Sequence, residues 1–322
     1  MKIAIVGGGG CFALNFARLC HECGIEHFGI GRSNKPKPFC QIDHTYRYWP
    51  LHLVDELSAI LAALDSEQPD VIVNYAAQGE GAASFKENAP DFFRTNTWGL
   101  ARFAEAMMHR TYLKRFVNIG TSELYGSTEA PAVETDYLKG TSPYAISKQA
   151  FDQYLLTIHR IHGFPMNIVR PSNCYVPGQQ LYRVIPKAIV CALSGKKLPL
   201  QGGGKAMKSY LHATDLSRAV MAVIEKAPFG EVYNVAPVAP ISIREVVEKV
   251  AAASGVAFDD LVEIVPDRIG QDARYWLSAE KIARELGWSQ SIGLEEGLAE
   301  MVAWVRRYPE LLTMETTYVH RT

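Results

Sequence analysis

"KIAIVGGGGCFALNFARL", Lys2–Leu19, is the stretch whose reading decides the fold. Five residues of apolar, β-branched character run into four glycines, and a helix-like pattern follows at once. Glycine allows the tight turn and lets the backbone approach a ligand closely. The amides of a helix N-terminus then face an anion, with the helix dipole in support. Gly7, Gly10 and Ala13 fit the spacing G-x-x-G-x-x-A, so the turn is expected to hold the pyrophosphate of a dinucleotide. A turn that merely reverses the chain would also be glycine-rich. Here the context on both sides, strand before and helix after, favours the nucleotide.

Working outward, the same alternation continues. "HFGI", "DVIVNYA", "RFVNI" and "MNIVR" read as further buried strands, and "LNFARLCHEC" and "DELSAILAAL" carry helical spacing between them. Apolar strands separated by helices imply a parallel sheet covered on both faces. The expected fold is α/β, a Rossmann-type doubly wound sheet with ligands at the carboxyl ends of its strands. Past Pro171 the pattern loosens. "VIPKAIVCALSG", "SIREVVEKVAAASG", "SAEKIARELGW" and "GLEEGLAEMVAWVRR" read as helices, "GEVYNVA" and "LVEIVP" as short strands. Residues 1–170, with 209–235, are expected to form the dinucleotide-binding domain. Residues 171–208 and 236–322 are expected to form a smaller α/β substrate lobe.

The 322-residue chain is 48% hydrophobic and 21% charged, with a net charge of −1. That balance gives no electrostatic case for nucleic acid or an anionic membrane. No apolar run reaches the length of a membrane span. With a strand expected from Lys2 onward, no signal peptide is expected, and the six cysteines have no framework spacing. A cytoplasmic protein with reduced thiols is expected. Cys20 and Cys23 in "CHEC" have metal-like spacing but no second pair to complete a zinc site, so no metal is expected.

Two further stretches carry chemistry. In "TSPYAISKQAF", Tyr144 and Lys148 stand four apart and so share a helix face. An ammonium near a phenol favours phenolate, which can take the proton of an alcohol while a nicotinamide takes its hydride. In "GTSELYG", Thr121, Ser122 and Glu123 end a buried strand on polar groups. They are expected to face a substrate, although a solvated loop would read the same way. At the end of the second strand, "HFGIGRSN" lacks the acid that usually holds a ribose 2′-hydroxyl. Arg32, Ser33 and Asn34 offer a cation and donors suited to a 2′-phosphate, so NADP is expected, with NAD as the alternative.

As a set, these motifs resemble the extended short-chain dehydrogenase/reductases, in particular the nucleotide-sugar 4,6-dehydratases. The resemblance takes in "NYAAQ" (Asn74–Gln78), "TNTWG" (Thr95–Gly99), "RPSNCYVPG" (Arg170–Gly178) and "DRIGQDARYWLSAEKIARELGW" (Asp267–Trp288). It implies catalytic roles for Thr121, Ser122, Glu123, Tyr144 and Lys148. It implies cofactor contacts at Gly7, Gly10, Cys11, Phe12, Arg32, Ser33, Leu53, Ala76 and Ala77, and again at Tyr144 and Lys148. It places Gln78, Glu80, Ser84, Asn173, Lys208 and Arg274 on a nucleotide-diphosphate sugar, and it implies a homodimer through helices 88–108 and 142–162. The chain also departs from the pattern. Ser122-Glu123 replaces the Asp-Glu pair of dTDP-glucose dehydratases and is similar to GDP-mannose dehydratases and UDP-glucuronate decarboxylases. Ala13 stands for the usual glycine, His52 for an aspartate and Lys208 for an arginine. The expected activity is conversion of an NDP-hexose to the 4-keto-6-deoxy sugar. A 4-epimerase, a 4-dehydrogenase or a decarboxylase is the alternative, and a non-catalytic dinucleotide sensor would have no need of Tyr144, Lys148 and Glu123. Base and hexose stay open.

Overall fold

The computed structural model describes residues 1–33, 40, 45–79, 81–86, 88–267 and 272–320. Strands β1 (Lys2–Val6), β2 (Glu26–Gly31), β3 (Tyr48–Pro50), β4 (Val71–Asn74), β5 (Arg115–Ile119) and β6 (Met166–Pro171) join the strand Val232–Val235 in one seven-stranded sheet. Across the sheet the order is Val232–Val235, β6, β5, β4, β1, β2, β3. Every pairing is parallel. The chain moves outward from β1 to β3 and then returns to β1's other side as β4. That reversal opens a crevice between β1 and β4, where ligands of such sheets bind.

Burial explains why these sequences are strands. β4 and β6 are buried along their whole length, and in β1 and β5 only the first residue is half-exposed. Continuous apolar runs of this kind suit a sheet covered on both faces. The helices Cys11–Glu22 and Ala213–Lys226 cover one face, with Phe16, Ala17, Leu216 and Val220 in the core. Leu57–Glu67, Leu100–Met107 and Pro143–His162 cover the other, through Ile60, Phe103, Phe151 and Leu155. A separate core of Ile189, Val247, Met301 and their neighbours joins the helices Val184–Ser194, Ile243–Ser254 and Leu294–Arg307. Short strand pairs, Leu198–Gln201 with Val262–Val265 and Asn173–Tyr175 with Tyr210–His212, stand apart from the large sheet. Among the described residues, no helix is long and apolar enough to cross a membrane.

Two features differ from the sequence reading. β3 has only three residues and no apolar run, so its pattern gave no signal; pairing with β2 makes it a strand. The single helix expected over 88–108 is broken into Ala89–Phe93, a wide π-turn at Arg94–Gly99, and Leu100–Met107. Polar partners explain the widening. Asn96 Oδ1 accepts the Gln78 amide at 2.7 Å, and Asn96 Nδ2 donates to the Gln78 carbonyl and to Ser147 Oγ, each at 3.0 Å. Thr97 Oγ1 donates to the Ser147 carbonyl at 2.9 Å. Such inserted turns recur where a helix must aim side chains at a functional site.

Gly7 fixes the crevice. Its φ is +78°, and a Cβ there would lie 2.5 Å from the Ala76 amide nitrogen. Gly7→Ala should destabilise the fold by at least about 1–2 kcal/mol from left-handed strain alone, read by denaturant unfolding. An unchanged unfolding midpoint would show that the turn and β4 can separate freely.

Candidate active site

The glycine turn is pinned to the sheet before the helix begins. The Gly7 and Gly8 amides both donate to the Ile30 carbonyl, at 2.7 and 3.0 Å. Gly10 precedes the helix in extended backbone; no side chain caps it, and its first turn holds no acid. The helix therefore offers amides and a dipole to an anion. Ala13 is buried against the sheet core, and Phe12 packs beside Cys11, Val176 and Ala213. The Cys11 thiol is pushed up to about 12 by burial, so it stays neutral. The Ala76 amide donates to Asn74 Oδ1 at 3.1 Å, fixing the loop that carries Ala77. Leu53 is buried close by in the same face's core. Arg32 and Ser33 are exposed at the end of β2. Asn34 lies outside the described residues.

β5 delivers the second half of the site. Past Ile119 and Gly120 the chain enters a short 3₁₀ turn at Ser122–Tyr125. Thr121 caps this turn, its Oγ1 accepting the Glu123 amide at 3.3 Å. Thr121 and Ser122 are buried, whereas Glu123 is half-buried. The helix Pro143–His162 starts where the sequence predicts. Ser142 Oγ accepts the Ala145 amide at 3.1 Å, and Pro143 occupies the first turn. Ser84, expected on the substrate, accepts the Tyr144 amide at 3.2 Å and so anchors this helix start. Phe92 meets the Tyr144 ring edge-on at a centroid distance of 6.2 Å.

Lys148 joins the two halves. Its Nζ is buried and donates to the Ile119 carbonyl at 2.7 Å, two residues before Thr121. Burial lowers its pKa to about 8, against the opposing pull of the Asp152 carboxylate. Below 8 the buried ammonium costs stability, and the cost fades as pH rises from about 8 toward the ordinary 10.5. Asp152 is fully buried. It accepts from Asn118 Nδ2 at 2.9 Å and from Arg170 Nε at 3.1 Å. Asn118 Oδ1 in turn accepts from Asn74 Nδ2 at 2.8 Å. Nothing in the sequence spacing marked Asp152, Asn118 or Arg170, because their partners come from separate strands.

The remaining expected contacts lie on the loop after β4 and on segments past β6. Asn173 begins the strand Asn173–Tyr175, and its Oδ1 is buried with no hydrogen-bond partner. Lys208 Nζ lies 3.3 Å from the centroid of the Tyr275 ring and donates to the Asp272 carbonyl at 3.0 Å. Arg274 sits on the neighbouring segment, which bridges to Met207, and its Nη1 donates to the Glu129 carbonyl at 3.3 Å. Gln78 Nε2 donates to Tyr318 Oη at 3.3 Å. Glu80 lies outside the described residues.

The sequence reading missed three further groups. Arg183 stacks over Tyr182 at 5.3 Å and reaches toward Gly79, and its charge opposes in small part the rise that burial gives the Cys11 pKa. Tyr318 and His320 are brought in from far along the chain. His320 Nε2 pairs with Asp91 at 2.8 Å, and Nδ1 meets Tyr318 Oη at 3.1 Å. No group of three metal-ligating side chains occurs among the described residues.

Taken together, the geometry offers an uncapped helix start after the glycine turn, a tyrosine and a buried lysine one helical turn apart, and a carboxylate at a strand end. Asp152→Ala should remove the buried counter-charge of Arg170 and cost about 3–5 kcal/mol, measured by thermal unfolding. A loss under 1 kcal/mol would show that the pair does not hold the strand ends to the helix.

Comparison with known proteins follows this geometry. The sequence profile of the NAD dependent epimerase/dehydratase family matches residues 3–236. A trifunctional UDP-glucose 4,6-dehydratase/UDP-4-keto-6-deoxy-D-glucose 3,5-epimerase/UDP-4-keto-L-rhamnose-reductase of Arabidopsis thaliana is 31% identical over 251 residues, 77% of this chain. The match spans only 38% of that plant protein's own length. A dTDP-glucose 4,6-dehydratase of Streptomyces griseus is 35% identical over 240 residues, covering 74% of this chain and 72% of the relative. The crystal structure of DesIV, a dTDP-glucose 4,6-dehydratase from Streptomyces venezuelae with NAD and TYD bound, superposes with a TM-score of 0.88. Identity to it is 28%, covering 96% of this chain and 98% of that one. By its fold, its glycine turn and this match over most of its length, the chain belongs to the NAD dependent epimerase/dehydratase family.

Proposed function

We propose that the protein is a nucleotide-sugar 4,6-dehydratase that converts an NDP-hexose to its 4-keto-6-deoxy form. The observation that carries this reading is the bond from Lys148 to the Ile119 carbonyl. It sets the Tyr144–Lys148 helix face against the strand end that presents Thr121 and Glu123. The dehydratase relatives support the same reading. We assign residues 1–170 and 209–235 to the cofactor, and 171–208 and 236–322 to the sugar nucleotide. The helix start after Gly7 to Gly10, with no side-chain cap and no acid in its first turn, fits a dinucleotide pyrophosphate. Exposed Arg32 and Ser33 favour NADP over NAD.

A bound nicotinamide would supply the acceptor for the hydride of sugar C4 and its donor to C6. Tyr144, supported by the Lys148 ammonium, takes the proton of the C4 hydroxyl. Thr121 hydrogen-bonds the C4 oxygen as it becomes a ketone. The ketone acidifies C5–H, and Glu123 removes that proton. Ser122 is too weak an acid to help the C6 hydroxyl leave, so Glu123 hands its proton on and water departs; C5 is reprotonated as C6 takes the hydride, and the proton Tyr144 took from the C4 hydroxyl balances that uptake. Asn173, with its buried unpaired Oδ1, contacts the sugar nucleotide, while Lys208 and Arg274 face its diphosphate. Gln78 and Ser84 are assigned to the hexose side. An epimerase is the second reading, favoured by the intact Tyr144–Lys148 pair; it would leave Glu123 without a task.

Glu123→Gln separates the two. With a productive NDP-hexose it should still show reduced-nicotinamide absorbance, yet lose ~10²–10⁴-fold in 4-keto-6-deoxy product. Tyr144→Phe should lose the absorbance as well. Near-normal product from Glu123→Gln would sink the dehydratase reading.

The same helices expose Phe93, Trp98 and Ile146. Exposed apolar side chains on neighbouring helices suit a two-fold interface. The protein should therefore scatter light as a dimer at micromolar concentration, and Trp98→Asp should shift it toward monomer. A wild-type monomer would rule the interface out.

A further inference from the structure

The carboxyl end of β2 holds an arrangement that the glycine motif does not require. Gly29 and Gly31 stand two apart, so they face the same side of the sheet. Gly31 ends the strand, the place where NAD-binding sheets of this kind carry a ribose-holding acid. Two phenols from the β3 region fill the space those glycines leave. A Cβ on Gly29 would lie 2.1 Å from Tyr46 Oη, and one on Gly31 would lie 2.8 Å from Tyr48 Oη. Tyr48 Oη also approaches the glycine turn, 2.9 Å from where a Cβ on Gly9 would stand.

The two phenols then part company. Tyr46 Oη donates to the Gly8 carbonyl at 3.2 Å. Tyr48 Oη is buried and has no hydrogen-bond partner. Burial raises its pKa to about 12, with the nearby Ser33 amide opposing, so the group stays a neutral hydroxyl. A neutral hydroxyl both donates and accepts. Buried polar atoms without partners are uncommon, and one lying between the glycine turn at Gly9 and the end of β2 at Gly31 calls for a ligand atom.

We propose that the Tyr48 hydroxyl holds the 2′ position of the cofactor's adenosine ribose, standing where an acid at residue 31 would otherwise reach. Toward a ribose 2′-hydroxyl it accepts a hydrogen bond. Toward a 2′-phosphate it donates one, beside Arg32 and Ser33. The inference rests on the dinucleotide reading of the turn but not on the sugar reaction. Its test therefore uses cofactor alone.

Titration calorimetry with NADP+ and NAD+, without sugar nucleotide, would compare the wild type with Tyr48→Phe and Arg32→Ala. Tyr48→Phe should weaken NADP+ binding about tenfold, while its melting temperature holds or rises because an unpaired buried hydroxyl is gone. A loss confined to NAD+ would also support the role, with the 2′-hydroxyl as the group held. Arg32→Ala should weaken NADP+ alone, which separates charge from the hydroxyl. If Tyr48→Phe binds both dinucleotides within twofold of wild type, the ring is only a filler and the proposal falls. Wild-type protein that binds neither would overturn both this role and the dinucleotide reading.

Discussion

The site depends on a positive charge kept out of water. Lys148 sits beneath the end of β5 with its ammonium on the Ile119 carbonyl. A lone ammonium there would be expelled or neutralised. The Asp152 carboxylate makes it tolerable, and Asp152 is held in turn by Asn118 and Arg170. Arg170 Nη1 reaches Tyr125 Oη at 2.9 Å, and Tyr125 Oη donates to Asn234 at 2.9 Å. One polar chain thus runs from β4 through β5 and β6 to the strand Val232–Val235. It sets the height at which the Pro143–His162 helix meets the sheet, and with it the place of Tyr144 relative to Glu123.

A second constraint works at the other end of the crevice. Gly7 lies so close to the loop after β4 that no side chain fits between them. The turn and that loop therefore pack backbone against backbone, and Ala76 is held by that contact and by its bond to Asn74. Asn96 continues the restraint by gripping both backbone groups of Gln78 and then Ser147 on the Pro143–His162 helix. The widened turn at Arg94–Gly99 is the local cost of that grip. Glycine turn and tyrosine helix are linked by covalent turns and buried hydrogen bonds rather than by surface ion pairs, which contribute little in water.

Much was legible in the sequence because it is local. The strand–glycine–helix run, the alternation of apolar strands with helices, and the Tyr144–Lys148 spacing follow from periods of 2 and 3.6 residues. Ser142 and Pro143 marked the start of their helix by capping chemistry alone. These features fixed the fold class and pointed to Thr121, Glu123, Tyr144 and Lys148. The missing acid at the end of β2 was also plain to read.

What filled that place was decided only by tertiary structure. Tyr48 belongs to a three-residue strand with no pattern of its own, and it reaches the glycine turn because β3 pairs with β2. Asp152 and Arg170 look like ordinary helix and strand charges until the parallel register sets them side by side. Arg183, Tyr318 and His320 approach the crevice from elements far apart in the chain. Ser84, an expected substrate contact, also supports the Tyr144 amide, a bond that no spacing announced. The physical reason is the same in each case. Local periodicity tells which face of an element is buried, but the partner of a buried polar atom is chosen by long-range packing, which no spacing along the chain records.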